Sequence, residues 1–492
     1  MGESTKTSRP ARQFPDLPVY SGFDRPGRVE ADVFELEVDG EIPAQLCGNF
    51  YRVAPEPQFP PRLGEDIVIN GDGMVGLFRF ENGHVDFKSR YVRTEKFRLE
   101  RAARRSLFGA YRNPYTDDAS VRGMGRGTAN TNVLLHGGKL LALKEDSPPV
   151  ELDTHTLETV GPWTYDGKLN SRTATAHPKI DPETGELLFF GYAAKGETTR
   201  DIAFYVADAA GRITREEWFE APYAAEIHDF AVTREHILFP VLPTTTDLRR
   251  LQAGGPHWLW DPTRASMIGI FPRAGRAHDI RWFEGPPRWL FHFFNAYSDG
   301  GRVVADACVS DAQTFPFMYP DTRGGAFDPT KAIPRITRWT FDLSVPGPAF
   351  DERRLWPNYC EFPRIDERFA MGRHRYGFAV ANDPMRDFAG GGIFGPAFNS
   401  VVRYDFDTDE VATFALDSKT TAQEPVFVPR HDHAAEGDGY LLVLVNRFAT
   451  MLNDLLLFDT ARIPEGPIAT IKLPLRLRNG VHGNWVPRHL LP

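Results

Sequence analysis

Short apolar runs, many of them alternating with polar positions, recur along nearly the whole chain. They include NFYRV at 49–53, ELLFFGY at 186–192, IAFYVAD at 202–208 and YLLVLV at 440–445. Such runs, rich in β-branched and aromatic residues and separated by turn triplets such as ENG and AAG, are typical of antiparallel hairpins. Helical periodicity is scarce, with RLERAARRSLFGAY at 98–111 as its best example. We therefore expect an all-β protein with short helices only.

The number and spacing of these runs predict a closed β-propeller. Hairpins continue over the 492 residues without a composition shift or a linker, which favours a radial array of blades. Seven blades of roughly 70 residues each would use the chain. No repeat is visible in the sequence itself, so this prediction rests on strand density. We expect a polar N-terminal tail over 1–30 and a single propeller domain over 31–492.

Composition and charge narrow the class of protein. A net charge of −9 argues against nucleic acid as a partner. Cys47, Cys308 and Cys360 are odd in number and far apart in sequence, which indicates no disulfide framework and favours a reducing compartment. The first residues contain no apolar signal-peptide core, and the longest apolar run, YLLVLV, has the length of a strand. We expect a cytoplasmic protein that does not insert into a membrane.

Four histidines stand in or beside strand-like runs, where nothing local calls for a titratable ring. They are His177, His228, His292 and His482. Each one alone reads best as a hydrogen-bonded core residue. Together they lie roughly one, one and three blade lengths apart, so a propeller could bring them to its axis, where four imidazoles suit Fe or Zn. His431 and His433 also have a spacing that suits a metal pair, but their turn-rich segment favours a solvated loop.

Several segments resemble the carotenoid cleavage oxygenase family, in order, from about residue 30 to the C-terminus. They are TAHPKIDPETGELLFFGY at 175–192, EIHDFAVT at 226–233, LFHFFNAY at 290–297, EPVFVPR at 424–430, EGDGYLLVLV at 436–445 and VHGNW at 481–485. The resemblance implies a seven-bladed propeller with short helices and loops over the metal-bearing face. It also implies one Fe(2+) per chain. The matching ligands are His177, His228, His292 and His482.

The resemblance implies three glutamates behind the ligands as well: Glu145 in ALKEDSPP, Glu361 in YCEFPRID and Glu424 in AQEPVFVP. A carboxylate that accepts the outer N–H of an imidazole fixes its tautomer and raises its basicity. Three buried anions would also balance a dication whose own ligands are neutral. Without the motif, Glu424 would read as an exposed acid at a strand edge.

Two further segments, LFGAYRNPYTDDASV at 107–121 and LALKEDSPP at 141–149, resemble the stilbene-cleaving branch of that family, which includes lignostilbene dioxygenases and isoeugenol oxygenases. In that branch a tyrosine and a lysine hold the para-hydroxyl of a phenolic substrate, and the matching residues are Tyr111 and Lys144. Taken alone, Lys144 could be a surface charge and Tyr111 a core residue at a helix end. Thr131 matches a threonine near the open metal position, while Phe315 and Phe59 match cleft-lining aromatics or are core residues.

The implied reaction is cleavage by O2 of the central alkene of a 4-hydroxystilbene or related phenylpropanoid, giving two aldehydes. Lys144 and Tyr111 would favour the phenolate, which pushes electron density onto the alkene. Cleavage of a propenylphenol such as isoeugenol to vanillin, or of an apocarotenoid, is the alternative within the family. A metal-free propeller acting as an interaction scaffold is the alternative outside it. The expected partners are a small phenolic aryl alkene and O2, with a homodimer as the one protein assembly considered.

Overall fold

The computed structural model describes residues 12–386 and 397–492, which are built almost wholly of strands. In chain order the first half contains β1 Ala31–Val33, β2 Glu37–Gly40, β3 Gly48–Pro55, β4 Gly73–Glu81, β5 His84–Tyr91, β6 Asn132–His136, β7 Lys139–Leu143, β8 Val150–Leu152, β9 Thr159–Pro162, β10 Lys179–Ile180, β11 Leu187–Tyr192, β12 Asp201–Ala207, β13 Ile213–Glu220, β14 Ala231–Val232, β15 His236–Val241 and β16 Thr244–Thr245. The second half contains β17 Leu259–Trp260, β18 Ser266–Pro272, β19 Arg281–Gly285, β20 Trp289–Asp299, β21 Arg302–Ser310, β22 Arg335–Asp342, β23 Asp351–Arg354, β24 Tyr359–Ile365, β25 Tyr376–Asn382, β26 Ser400–Asp405, β27 Val411–Ala415, β28 Thr420–Pro429, β29 Gly439–Arg447, β30 Leu452–Asp459, β31 Ala469–Lys472 and β32 Gly483–Pro487.

Helices are short in the described part of the chain. The α-helices are α1 Glu95–Ala103 and α2 Leu248–Gln252. Short 3-10 turns occupy Pro18–Tyr20, Gly22–Asp24, Val68–Asn70, Pro114–Thr116, Ala119–Val121, Ala277–Asp279, Pro316–Met318, Glu367–Phe369, Thr460–Glu465 and Arg488–Leu490.

The helix predicted at 98–111 begins earlier and ends sooner than its periodicity indicates. It begins after Thr94, whose side chain accepts a hydrogen bond from the Phe97 N–H and so caps the first turn. It ends where Arg104 adopts a left-handed conformation, with φ 54°. Beyond it, the backbone N–H groups of Leu107 and Phe108 donate to the Glu100 carboxylate. These contacts replace the helical hydrogen bonds that the pattern alone would predict.

The strands form seven antiparallel sheets, which we number as blades by the chain order of their inner strands. Blade 1 is β6–β9, blade 2 is β10–β13, blade 3 is β14, β15, β18 and β19, blade 4 is β20–β23 and blade 5 is β24–β27. Blade 6 is β28–β31 with β2, and blade 7 runs in the order β1, β5, β4, β3, β32. The strands β16 and β17 form a separate ribbon. The seven-bladed all-β propeller predicted from the sequence is confirmed.

Both ends of the chain take part in closing the ring. The N-terminal β2 completes blade 6 by pairing with β31, and the C-terminal β32 completes blade 7 by pairing with β3. The inner strands contact one another around the axis, β14 against β20, β20 against β24, β24 against β28 and β28 against β32. Closure of the ring therefore brings inner strands from distant parts of the chain next to one another.

The hydrophobic core lies between neighbouring blades. Phe78 and Phe87 of blade 7, for example, share a buried cluster with Leu442 and Leu455 of blade 6. The run YLLVLV in β29 is buried on both faces because one face packs against blade 7 and the other against blade 5. Continuous apolar runs of this kind mark the middle strands, whereas the outer strands alternate, as in β13.

Two of the cysteines, far apart in sequence, are neighbours in space. The buried sulfur atoms of Cys308 and Cys360 are 3.8 Å apart, and both are free thiols. Near the N-terminus, Tyr20 and Phe23 are buried, and the Arg478 guanidinium donates to the Asp24 carbonyl. Among the described residues, no helix has the length and apolar character needed to cross a bilayer.

Candidate metal centre

Four histidines from four blades meet at the axis of the propeller. His177 precedes β10, His228 precedes β14, His292 lies within β20 and His482 precedes β32. All four are buried, and one ring nitrogen from each lies within 4.8 Å of the others. The Nε2 atoms of His177 and His228 are 2.9 Å apart. The rings of His177 and His482 are nearly perpendicular, so the imidazoles surround a point instead of stacking.

Irregularities in the inner strands aim the side chains at this point. The pairing of β20 with β21 shifts register on either side of Phe293, next to His292. The pairing of β24 shifts after Glu361, and that of β28 shifts between Ala422 and Pro425. A β-bulge bends its strand and redirects a side chain, and bulges are over-represented beside active sites. Phe362, at the bulge of β24, has φ 54°, a left-handed conformation that costs a non-glycine residue energy.

Three of the four imidazoles each form a hydrogen bond through Nδ1 with a carboxylate from another blade. The Nδ1 of His228 lies 2.7 Å from Glu145, that of His292 lies 2.6 Å from Glu361 and that of His482 lies 2.8 Å from Glu424. The seven residues come from seven different blades: the histidines from blades 2, 3, 4 and 7 and the glutamates from blades 1, 5 and 6. A carboxylate on Nδ1 makes that atom the proton donor and leaves the Nε2 lone pair free to bind a metal.

Two of these carboxylates, those of Glu145 and Glu424, are held ionised by their surroundings. Burial raises the pKa of Glu145, but His228 and the charges of Lys144 and Arg112 outweigh it and hold that pKa below its usual value. Glu424 behaves in the same way, because His482 and Arg364 lower its pKa more than burial raises it. Burial lowers the pKa of His228 to about 4, against the opposing effect of Glu145. Neutral imidazoles backed by anions are the protonation states that a metal ion needs.

The donor set fits a divalent metal ion. The Nε2 atoms of His292 and His482 are buried and have no hydrogen-bond partner among the described residues. Buried polar atoms are almost always satisfied, so two such atoms facing one volume point to a missing partner. Four neutral nitrogens suit a borderline ion such as Fe(2+) or Zn(2+). A second close group, Glu145, Glu226 and His228, does not read as a metal site, because Glu145 and His228 already bond each other.

A cavity with an empty volume of about 650 Å³, part of it open to solvent, lies beside the histidines. Six aromatic side chains line it: Trp289, Phe291, Phe315, Tyr359, Phe362 and Phe398. The Phe291 ring stacks on the His228 ring, with centroids 3.5 Å apart and the planes 4° from parallel. The aromatic neighbours of His292 in WLFHFFNAY therefore divide between this wall and the core, and they keep the metal centre away from water.

The structure brings most of the sequence-predicted residues to this cavity. Lys144, Thr131 and Phe315 line it directly. Tyr111 lies behind Lys144, with the lysine Nζ 4.9 Å from the centroid of the tyrosine ring, and its hydroxyl donates to Glu145 over 3.3 Å. Phe59 faces a different cavity of about 420 Å³, so its role beside the substrate stays a prediction.

Several residues of the site were not indicated by the sequence. Glu226 lines the cavity, and the EIHDF motif held a signal for it, because positions two apart in an extended segment share a face. Arg364 lies 3.4 Å from Glu424 and donates to the Gly483 carbonyl. Tyr192 donates to Glu145 over 3.0 Å. No local pattern marked Arg364 or Tyr192, since their partners come from other blades.

Comparisons with known proteins agree with this geometry. The sequence profile described as retinal pigment epithelial membrane protein (RPE65) matches residues 24–487. The chain is 49% identical to an isoeugenol monooxygenase of Pseudomonas nitroreducens, over 96% of this chain and 98% of that protein. It is 44% identical to lignostilbene-alpha,beta-dioxygenase isozyme III of Sphingomonas paucimobilis, over 97% and 99%. The crystal structure of a Pseudomonas brassicacearum lignostilbene dioxygenase superimposes with a TM-score of 0.94 at 42% identity, covering 97% of this chain and all of that one.

Proposed function

This chain belongs to the carotenoid cleavage oxygenase (RPE65) family and is an alkene-cleaving oxygenase, and from that premise we propose that it cleaves the central alkene of a 4-hydroxystilbene or a related phenylpropanoid with O2. The products are two aldehydes. The observation that carries the choice of a phenolic substrate is Lys144, a lysine in the wall of the cavity beside the four histidines, together with six aromatic side chains.

A phenol could provide the hydrogen-bonding partner that Lys144 does not have within the protein. Lys144 is 4% exposed, and no described residue forms a hydrogen bond with its Nζ. A buried ammonium without a hydrogen-bonding partner is costly, so a phenolate oxygen at Nζ would stabilise both groups. Tyr111 packs against the lysine side chain and, in this proposal, shares the phenol oxygen with it.

The histidines His177, His228, His292 and His482 would hold one Fe(2+) per chain. When bound there, the iron would supply the binding and activation of O2. Side chains of the protein would orient the substrate, exclude water and stabilise the phenolate. The aromatic wall orients the alkene and excludes water, and Thr131 borders the space next to the metal position. Lys144 favours the phenolate, whose electron density reaches the alkene through the ring and makes its carbon more nucleophilic.

Cleavage of a propenylphenol such as isoeugenol to vanillin uses the same contacts and is the second candidate. Its support is the 49% identity to a protein named for isoeugenol. An apocarotenoid carries no phenol and leaves Lys144 without a purpose. A cytoplasmic location and a homodimer stay predictions of the sequence.

The test is an aerobic incubation of the iron-loaded protein with resveratrol, a lignostilbene, isoeugenol and an apocarotenal, with the aldehydes measured by chromatography. Lys144→Met keeps length and apolar bulk but removes the charge. We expect kcat/KM on the phenolic stilbenes to fall at least about 100-fold, or roughly 3 kcal/mol of transition-state stabilisation. The iron content should not change.

A second comparison tests the same idea from the substrate. A 4-O-methyl stilbene cannot form a phenolate, so the unaltered enzyme should cleave it poorly. Lys139→Met is a matched control, because Lys139 begins β7, the strand that ends directly before Lys144, and pairs with Glu151 outside the cavity. If the methyl ether is cleaved as fast as the free phenol, phenolate activation is wrong and the apocarotenoid is favoured.

A further inference from the structure

Asp229 is a buried acid beside the metal centre to which none of the roles above applies. It directly follows His228 in the chain and is 2% exposed. Glu145, Glu361 and Glu424 each bind the ring of a histidine, whereas Asp229 forms no hydrogen bond with an imidazole among the described residues. Its carboxylate instead binds two backbone N–H groups and one ammonium group.

One oxygen of this carboxylate binds the backbone of β20 next to His292. Oδ2 of Asp229 accepts a hydrogen bond from the Phe293 N–H over 3.0 Å, and Phe293 directly follows His292. The pairing of β20 with β21 shifts register on either side of Phe293, so the carboxylate holds the strand where it departs from regular pairing. A buried N–H needs such a partner. Asp229 therefore fixes the backbone from which the His292 side chain extends.

The other oxygen reaches the segment of His177. Oδ1 lies 2.8 Å from the Nζ of Lys179, which begins β10 two residues after His177. It also accepts a hydrogen bond from the Phe230 N–H over 2.8 Å, which orients the carboxyl group on its own segment. The ring of His177 has no carboxylate partner among the described residues. The ion pair with Lys179 is thus a route by which an acid can hold this segment.

The partners of Asp229 come from three neighbouring blades. Lys179 belongs to blade 2, Asp229 itself precedes β14 of blade 3, and Phe293 belongs to blade 4. Burying a carboxylate is unfavourable unless charged and hydrogen-bonding groups surround it, and such charge-assisted contacts are strong. Loss of this one acid would leave a buried N–H without its partner and would release two neighbouring segments at once.

We propose that Asp229 is a positioning residue of the metal centre, which sets the spacing between the histidines of blades 2, 3 and 4. It acts on the backbone that carries the histidines, whereas the three glutamates act on the rings. Groups behind a metal-binding side chain commonly change metal affinity 10–100-fold when they are altered. This inference rests on the metal centre of the proposed function and not on the choice of substrate.

The experiment measures metal release from the iron-loaded protein to an excess of chelator and the visible absorption bands of the cobalt-loaded protein. Asp229→Asn keeps the size of the side chain but offers one acceptor oxygen, so it cannot serve both the Phe293 N–H and Lys179. We expect release to be at least about tenfold faster and the cobalt bands to shift, because the nitrogens surround the ion in a changed geometry.

Variants of Lys179 test the link to His177 by itself. Lys179→Met removes the ammonium group and leaves the two backbone hydrogen bonds of Asp229 in place. We expect faster release and a shift of the cobalt bands, both smaller than in Asp229→Asn. Lys179→Arg keeps a cation at this position and should restore slow release.

Two controls make the same chemical changes away from the centre. Asp405→Asn alters a buried acid on β26 that accepts hydrogen bonds from Arg375 and from backbone N–H groups. Lys139→Met alters a lysine whose side chain is 31% exposed, against 28% for Lys179, and which pairs with Glu151. Both controls should release metal at the rate of the unaltered protein, whatever their thermal midpoints.

The proposal is overturned if Asp229→Asn lowers the thermal midpoint of the metal-free protein but leaves metal release and the cobalt bands unchanged, as a purely structural residue would. Should that variant fail to fold, Lys179→Met decides between the same two results, because this side chain is partly exposed. If the unaltered protein holds metal but cleaves none of the alkenes, and the variants release metal faster, the proposed function fails and the role of Asp229 stands.

Discussion

The imidazole of His292 shows how single contacts prepare the centre. Its Nδ1 lies 2.6 Å from Glu361, and its Nε2 is buried without a partner among the described residues. Burial lowers the pKa of this ring, but the charge of Glu361 and the hydrogen bond to it raise the pKa above its usual value. In the neutral form of this ring the proton lies on Nδ1, which leaves the Nε2 lone pair free to bind a metal. The aromatic strand thus supplies the dry surroundings, and the carboxylate supplies the orientation.

Two variants separate the ligand from the group that orients it. His292→Ala should lose the metal, because an opened four-imidazole site admits water. Glu424→Gln should keep the fold and weaken metal affinity or turnover about 10–100-fold, the usual effect of altering the group behind a ligand. Metal content by mass spectrometry and the far-ultraviolet circular dichroism spectrum check both. Full metal occupancy in His292→Ala would contradict the ligand set, and an unchanged rate and affinity in Glu424→Gln would remove Glu424 from the centre.

Individual strands position these residues through local departures from regular pairing. The bulges of β20, β24 and β28 fall at His292, Glu361 and Glu424, so three inner strands break register where a side chain must turn to the axis.

Beside His482, the strand β32 packs closely on β3. A Cβ at Gly483 would lie 2.5 Å from the Tyr51 carbonyl oxygen, so only glycine allows this approach.

Gly483→Ala should therefore push β32 away from β3 and disturb the neighbouring His482. Overpacking against backbone costs about 1–3 kcal/mol, and we expect a lower thermal midpoint together with weaker metal retention. Gly27→Ala is the matched control, because its added Cβ would meet nothing closer than 3.9 Å. Equal midpoints for the two variants would show that β32 has room to move.

Closure of the ring is the property of the whole molecule on which the centre depends. Blades 6 and 7 each join strands from opposite ends of the chain, so neither is complete until both termini are in place. The four blades that carry the histidines are not contiguous, and His482 directly precedes β32, which pairs with β3. Metal binding and closure should therefore be coupled.

Removing residues 483–492 deletes β32 but leaves His482 in the chain. We expect the truncated protein to lose metal and to unfold at a lower temperature, because β3 is left with an unpaired edge and His482 without its strand. Removing only 489–492, which lie beyond β32, should leave metal content and the thermal midpoint close to those of the full chain. A 1–482 chain that keeps its metal would show that His482 is held without β32.

Much of the fold, and the set of four histidines that meet at its axis, could be read from the chain itself. Strand alternation is a local property, so runs such as ELLFFGY and YLLVLV indicated the all-β class, and their number indicated a propeller. His292 stood out because an imidazole in an aromatic strand has no local purpose. The resemblance in ordered motifs then named the other ligands and the glutamates.

What the sequence determined by itself is what short-range patterning encodes: strands, turns, and polar groups in apolar surroundings. Only the tertiary structure decided which partners meet, because contacts between blades depend on closure and not on neighbouring residues. It paired Glu145 with His228 and placed Tyr111 behind Lys144. It also left the carboxyl of Glu226 without a partner on the cavity wall, since whether a buried acid is satisfied depends on every element packed around it.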